Sequence, residues 1–378
     1  MIRRTRVEVD LGAIVENAGA INALTGTNVY AVVKADGYGH GAIVIARALA
    51  AKRAVAGFAV SLVEEAVVLR DAGVIAPILV MGPSQLGGED ELVGLALTPV
   101  VSDAEEIAAL AALARRRNVA IDVHLKIDTG MGRLGAMPAD AVALAVAAQQ
   151  QGVRIVGLMT HFANADSDSP DDPTSSTMCQ LASFAAVHKQ LHQAGIDVKI
   201  CHAANSSGAM MFPTARMNLV RTGLALYGNG HWATDAQLQR PRRQAMRLVT
   251  EVAQLRTVAA GSCVGYGGLW RATRDSRVAV LPVGYADGLP KRAIGAFFVI
   301  IGGVRCPLVG AISMDIAIAD VSDAPGVRIG DSAVLLGRDA SGDEISTSQY
   351  AEWTGLTEYE VTCGMSKRVP RTYIGGDL

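Results

Sequence analysis

The sequence predicts an α/β fold, a (β/α)8 TIM-like barrel followed by a C-terminal mostly-β domain. Three observations predict it. Eight short apolar stretches between residues 28 and 228 alternate with mostly helix-like segments, as in a parallel sheet with crossover helices. Eight units fit a closed barrel, which usually takes about 250 residues, better than an open doubly wound sheet. From Met246 onward, apolar runs follow one another without long helices and with Gly and Pro between them, which reads as all-β.

The elements follow in order. Asp10 is a candidate N-cap for LGAIVENAGAINAL, because a short acceptor side chain can satisfy an orphan N–H of the first turn. The expected barrel strands are NVYAVV, GFAVS, APILVMG, LTPVV, IDVHLKID, RIVGLMT, VKICHAA and MNLVRTGLALYG. The clearest helices between them are GAIVIARALAAKR, LVEEAVVLRDAG, DAEEIAALAALARRR, PADAVALAVAAQQ and CQLASFAAVHKQLHQAG. This places a barrel over residues 1–230, with residues 1–9 able to pair with the C-terminal domain, and a β domain over 231–378. The polar HWATDAQLQRPRRQ (231–244) is the expected linker. Beyond it, RLVTEVAQLRTV, RVAVLPVGY, FFVIIGG, CPLVGAISMDIAIADV and DSAVLLG read as strands, with one late helix at STSQYAEWTG.

Composition narrows the function. The 378 residues carry 34 Lys and Arg against 36 Asp and Glu. That balance argues against nucleic-acid and membrane-surface binding, which need a basic excess. Half the residues are hydrophobic, so disorder is excluded as the main character. No apolar run reaches the ~18 residues of a membrane span, and the N-terminus lacks the apolar core of a secretory signal. Five scattered cysteines, without metal or redox spacing, suggest free thiols and a cytoplasmic protein without a metal site.

Chemistry is expected at the strand ends, where barrels place it. Lys34 ends YAVV, with Gly37, Gly39 and Gly41 close behind. A lysine dry on its strand side loses some basicity and can form a Schiff base. GMGRLG (130–135) has a dinucleotide-loop spacing, but residues 141–165 contain no acid for a ribose. Arg133 there is better read as a carboxylate partner. His188 and His192 have zinc-helix spacing, yet Lys189 stands in place of the catalytic Glu, and a solvated face is expected. ADSDSPDD (165–172) lacks calcium-loop order. His161 and Arg221 end two further strands.

Nine ordered motifs carry a resemblance over nearly the whole chain: AVVKADGYGHG (31–41), HLKIDTGMGRLG (124–135), THFANAD (160–166), HAANSSG (202–208), VRTGLALYG (220–228), VGYG (264–267), LPVGYADGLP (281–290), SMD (313–315) and SKRVPR (366–371). The chain resembles the alanine racemases, pyridoxal 5'-phosphate enzymes of the fold type III barrel class. The resemblance implies interconversion of L- and D-alanine through an aldimine on Lys34, with Lys34 and Tyr266 as the two bases. It implies that Tyr38, Ser206 and Tyr359 hold the phosphate through their hydroxyls, helped by the N–H groups of Gly223 and Leu224. Arg221 would face the pyridine nitrogen, and His161 would lie behind Tyr266 in contact with Arg221. Arg133 and the backbone of Met314 would meet the substrate carboxylate. Tyr285 and Asp315 match the entrance, and Lys126 stands where many members carry a carbamylated lysine. The functional unit would be a homodimer with shared active sites, serving D-alanine and peptidoglycan precursor synthesis.

Thr222, Ala311 and Ile316 stand where the family usually has proline, often arginine and commonly glutamine. The first bears on the rigidity of the phosphate turn, since proline fixes φ. The other two bear on the entrance, and so on strict preference for alanine over serine or another small amino acid. A barrel decarboxylase would need an acid in place of Arg221 and would lack VGYG. A cofactor-binding homeostasis barrel without turnover would lack the second domain.

Overall fold

The computed structural model describes residues 2–83, 88–238 and 241–376. Eight parallel strands form the N-terminal unit: β2 (Asn28–Val32), β3 (Gly57–Val60), β4 (Ile78–Val80), β5 (Thr98–Val101), β6 (Ile121–Lys126), β7 (Val153–Met159), β8 (Ile200–His202) and β9 (Leu219–Thr222). Their spatial order is β8-β7-β6-β5-β4-β3-β2-β9. The two outer strands meet where the Arg221 N–H donates to Ala204 O at 3.0 Å and the Cys201 N–H to the Asn218 side chain at 2.9 Å. The sheet is thus a nearly closed barrel. Its strands read as apolar runs because both faces are covered: β3 and β4 are buried at every residue.

The helix Leu11–Thr25 starts at Asp10, whose carboxylate accepts the Ala13 N–H, and stops at Gly26, which takes a left-handed φ of 63°. Asp10 also ends β1 (Arg6–Asp10). This strand leaves the barrel and joins the second domain, antiparallel to β10 (Met246–Glu251) and parallel to the C-terminal strand Arg371–Ile374. The N-terminus therefore seams the two halves together.

The C-terminal half is mostly β. One sheet is built around β10 and the strands Phe298–Ile301 and Ser332–Arg338. A three-stranded sheet holds Gln254–Val258, Ser276–Leu281 and Ala317–Asp320. A small hairpin pairs Cys263–Val264 with Trp270–Arg271.

Several segments differ from the sequence expectations: RLVTEVAQLRTV forms two strands in different sheets, and CPLVGAISMDIAIADV is split between Val304–Pro307 and Ala317–Asp320. The strand expected over 217–228 ends at Thr222, because the chain turns at Gly223, whose carbonyl accepts the Leu226 N–H at 2.8 Å. The expected linker, whose residues 239–240 lie outside the described residues, is held at its C-terminal end by Arg242. Arg242 bonds Asp235 and the carbonyls of Asn229 and Gly230, and lies 4.6 Å from the Trp232 ring centroid. A second late helix, Glu358–Cys363, follows Thr354. Its N-terminus is closed by Thr357 and Glu360, each capping the other's N–H.

Candidate active site

A cavity of about 590 Å³ opens at the C-terminal ends of the barrel strands. Lys34, Tyr38, Lys126, Arg133, His161, Ser206, Arg221, Gly223, Leu224 and Tyr359 all line it. The structure therefore brings together ten of the residues singled out in the sequence.

Lys34 follows β2 and opens a single helical turn, Lys34–Tyr38, of unusual hand. Ala35, Asp36, Gly37 and Tyr38 have φ of 51°, 53°, 62° and 54°. Each left-handed residue with a Cβ costs about 1–2 kcal/mol, so surrounding contacts must hold the turn. Glu65 accepts the N–H groups of Ala35, Ser61 and Leu62 at 2.6–3.0 Å. The Asp36 carboxylate accepts the Ala42 N–H at 2.8 Å. Buried His40 bonds the carbonyls of Gly37 and Tyr38 through Nδ1 at 2.9 and 3.0 Å, and its ring stacks on Tyr227. The turn presents Lys34 and Tyr38 to the same cavity. Partial burial, reinforced by Arg133, lowers the pKa of the Lys34 amine. Burial raises that of the Tyr38 hydroxyl above the usual phenol range.

Arg221 is almost fully buried at the end of β9. Nη1 donates to His202 Nδ1 at 2.7 Å and to His202 O at 3.1 Å; Nη2 donates to Thr160 O at 2.8 Å and to His161 Nδ1 at 3.3 Å. Both terminal nitrogens are engaged, and Nε–H remains as the donor without a protein acceptor among the described residues. Burial lowers the Arg221 pKa to about 9, still charged at neutral pH. Burial and then Arg221 push His161 down to about 3, so its ring is neutral.

Beside Arg221 the chain bends against the helix Ser206–Met211. Ser206 Oγ accepts the N–H groups of Gly223 and Ala225 at 3.1 and 3.2 Å. The Gly223 N–H expected to face a phosphate is thus shared with Ser206. A Cβ on Gly223 would stand 2.5 Å from the Tyr38 hydroxyl, so the glycine is what admits the tyrosine. Tyr359, on the late helix of the second domain, lies with its ring centroid 5.8 Å from that of Tyr38.

The opposite wall carries Arg133 and Lys126. Asp128 draws the GMGR loop around its carboxylate, accepting from Gly130, Met131, Gly132 and Arg133 N–H at 2.8–3.1 Å. Lys126 is 5 % exposed, and burial followed by Arg221 and Arg133 lowers its amine to about 8.

Four singled-out residues lie elsewhere. Tyr266, on the turn between the two hairpin strands, is 77 % exposed; Met314, Tyr285 and Asp315 also face outward, and none of them lines the cavity. Tyr285 and Met314 share one rigid surface: Tyr285 N–H donates to Ser313 O and Ala286 N–H to Met314 O, both at 3.1 Å. A Cβ on Gly284 would stand 2.3 Å from Ser313 O. Arg368 joins buried Asp287 to Asp315 beside them, and Arg3 closes on Asp287 from the N-terminus.

His202, His124 and Asp128 also support the site without having been singled out by sequence, although all three lie inside the motifs HAANSSG and HLKIDTGMGRLG. Their signal was a polar residue at a barrel strand end or within the strand, where an apolar one would fill the core.

Two family models account for most of the chain. Residues 9–230 match the alanine racemase N-terminal domain and residues 245–373 the alanine racemase C-terminal domain. Alanine racemase of Sorangium cellulosum is 40 % identical over 98 % of this chain and 99 % of the relative. That of Symbiobacterium thermophilum is 39 % identical over 99 % and 98 %. Among solved structures, alanine racemase from D-cycloserine-producing Streptomyces lavendulae superposes with a TM-score of 0.91 at 34 % identity, covering 100 % of this chain and 98 % of that one. The Bacillus anthracis enzyme with bound L-Ala-P superposes at 0.88 with 31 % identity, over 100 % and 97 %. With a barrel and a β domain in the same order and these matches over nearly its full length, the chain belongs to the alanine racemase family.

Proposed function

We propose that the protein interconverts L- and D-alanine with pyridoxal 5'-phosphate as cofactor, in a homodimer whose active sites are shared. The observation that carries this reading is the convergence of Lys34, Tyr38, Ser206 and Arg221 on one cavity at the barrel mouth. The cavity suits this cofactor. The cradle of Ser206, Tyr38 and the Gly223–Leu224 turn has no room for a Cβ at Gly223 and fits a phosphate. The unpaired Arg221 Nε–H suits a ring nitrogen that accepts a hydrogen bond, and Lys34 suits an aldehyde. His161 keeps Arg221 in place, and Tyr359 completes the phosphate side.

When bound, the cofactor supplies an electron sink for the charge left at the α-carbon as its proton departs. Racemisation removes that proton from one face and returns one to the other, so two proton carriers are needed. Lys34 serves one face, and its lowered basicity suits an amine that must both take and give a proton. Tyr266 serves the other. In a single chain it stands exposed and outside the cavity, which supports its delivery into the site of a second copy, together with Met314, Tyr285 and Asp315. Arg133 and the Met314 backbone bind the substrate carboxylate. Arg221 can only donate, so with the cofactor bound it would keep the ring nitrogen unprotonated and so limit charge delocalisation into the ring. Buried Lys126 beside Arg133 suits carbamylation: the neutral amine nitrogen bonds the carbon of carbon dioxide as one C=O π pair moves to oxygen, the nitrogen releases a proton to solvent, and the resulting carboxylate pairs with the guanidinium.

The same reading divides the chain at residues 1–230 and 231–378. It places the enzyme in the cytoplasm, supplying D-alanine for peptidoglycan. No helix is long and apolar enough to cross a membrane among the described residues. The test is incubation of the cofactor-loaded protein with L-alanine in deuterated water. D-alanine carrying α-deuterium is expected; no α-exchange with alanine would contradict the reading. Faster turnover of serine would shift the assignment to a racemase of that amino acid, with Ala311 and Ile316 responsible.

A further inference from the structure

Behind Arg221 the barrel interior holds a polar chain that the proposed chemistry does not itself use. His202 Nε2 lies 2.7 Å from His124 Nδ1, and His202 Nδ1 lies 2.7 Å from Arg221 Nη1. All three residues are at most 3 % exposed. The guanidinium has no acceptor, so it must donate to His202 Nδ1, which therefore carries a lone pair. The proton of neutral His202 then sits on Nε2 and is donated to His124. His124 Nδ1 is thereby an acceptor as well, and its own proton sits on Nε2. One donor-only residue at the cavity fixes the proton positions of two rings behind it.

The barrel makes specific room for this chain. His124 pairs with Gly157 across β6 and β7, at a shift in strand register between Val123 and His124. A Cβ at Gly157 would stand 2.5 Å from the His124 ring. Only a residue without a side chain admits the imidazole there.

We propose that His124 is a positioning residue for Arg221, acting through the proton arrangement of His202. This rests on the reading above that Arg221 faces the cofactor's ring nitrogen. Without His124, the His202 Nε2–H is buried with no acceptor, which is costly in a dry interior. Moving the proton to Nδ1 relieves that loss but sets N–H against the guanidinium N–H. Arg221 then shifts, and its Nε–H with it. The charged groups around the chain favour neutral rings: Arg221 faces both, and of these only Asp122 near His124 opposes it. Lys126, Arg133 and Lys34 add their charge at His161.

The test is nitrogen NMR of histidine-labelled protein, with and without pyridoxal phosphate, from about pH 5.5 to about 8.5. In the native protein His202 is expected to keep Nδ1 unprotonated and Nε2 protonated throughout. His124→Phe fills the ring volume without an acceptor. It is expected to change the His202 pattern, shift the absorption of the bound cofactor and lower kcat about ten-fold, leaving KM for alanine within about two-fold. His124→Asn places an amide oxygen near the lost Nδ1 and is expected to restore the His202 pattern and the absorption. A proton on Nδ1 of His202 in the native protein overturns the proposal, whether or not the variants fold. So does a folded His124→Phe with native His202 signals and native absorption, or one changed in KM alone. Absence of racemase activity with the expected native nitrogen pattern would instead count against the proposed function and leave the proton arrangement standing.

Discussion

The carboxylate of Asp128 accepts the backbone N–H of Arg133 at 3.1 Å, after taking those of Gly130, Met131 and Gly132. Four N–H groups converge on one side chain, which closes the loop and fixes where Arg133 leaves it. The same bonds hold the Asp128 carboxyl below its ordinary pKa, against the opposing effect of burial. Asp128→Ala should therefore leave the barrel folded and loosen Arg133. Loss of a charge-assisted hydrogen bond, about 1.5 kcal/mol, corresponds to roughly ten-fold in kcat/KM for alanine. Steady-state kinetics checks this. An unchanged kcat/KM would mean that the loop holds Arg133 without Asp128.

Lys34 is expected to carry the cofactor, because it alone joins the strand end, the left-handed turn and the cavity. Borohydride reduction of the loaded enzyme followed by peptide mapping should find the pyridoxyl group on Lys34. A label on Lys126, the other lysine lining the cavity, would contradict the assignment.

Much of this site was legible in the sequence, for a physical reason. A barrel puts its chemistry where apolar strands end, so Lys34, His161 and Arg221 stood out as polar residues closing apolar runs. The left-handed turn was not legible. Gly37 signals such a backbone, but Ala35, Asp36 and Tyr38 adopt it only because Glu65 and His40 bind the turn. The His124–His202 pair spans 78 positions of sequence and exists only because β6, β7 and β8 are neighbours. Glu358–Cys363 was missed because a six-residue helix shows little periodicity, although Thr357 and Glu360 mark its start. Tyr266, Met314 and Tyr285 came from motif resemblance alone, and no property of the single chain brings them to the cavity.

Stability should fall as the solution is acidified below neutrality. Burial lowers the pKa of His40 and His124 to about 4, and that of His202 well below its ordinary value. The unfolded chain binds protons near pH 6.5 that the folded chain refuses, so unfolding is favoured as pH drops from about 6.5 toward 4. Each such histidine contributes up to ~1.4 kcal/mol per pH unit. Denaturant titrations at pH 7.5 and pH 5.5 would show the loss, and His40→Asn should reduce the slope by about one proton. A stability independent of pH across that range would contradict the neutral burial of these rings.

Thr222 is fully buried, and its hydroxyl finds no hydrogen-bond partner among the described residues. Valine has the same shape without the polar atom. Thr222→Val should stabilise the protein by about 1 kcal/mol, since it removes an unsatisfied buried group. A shift of the denaturation midpoint at constant m-value would show it. Destabilisation would mean that the hydroxyl has a partner in solution.

The shared active site is the central claim, and mixing two inactive variants tests it most directly. Lys34→Ala and Tyr266→Ala should each be nearly inactive alone. Refolded together in equal amounts, about half the dimers should be mixed, and one of the two sites in each should hold both Lys34 and Tyr266. Activity is then expected to recover to about one quarter of native. If verified mixed dimers stay inactive, Lys34 and Tyr266 do not meet across two chains, and the account of the site fails.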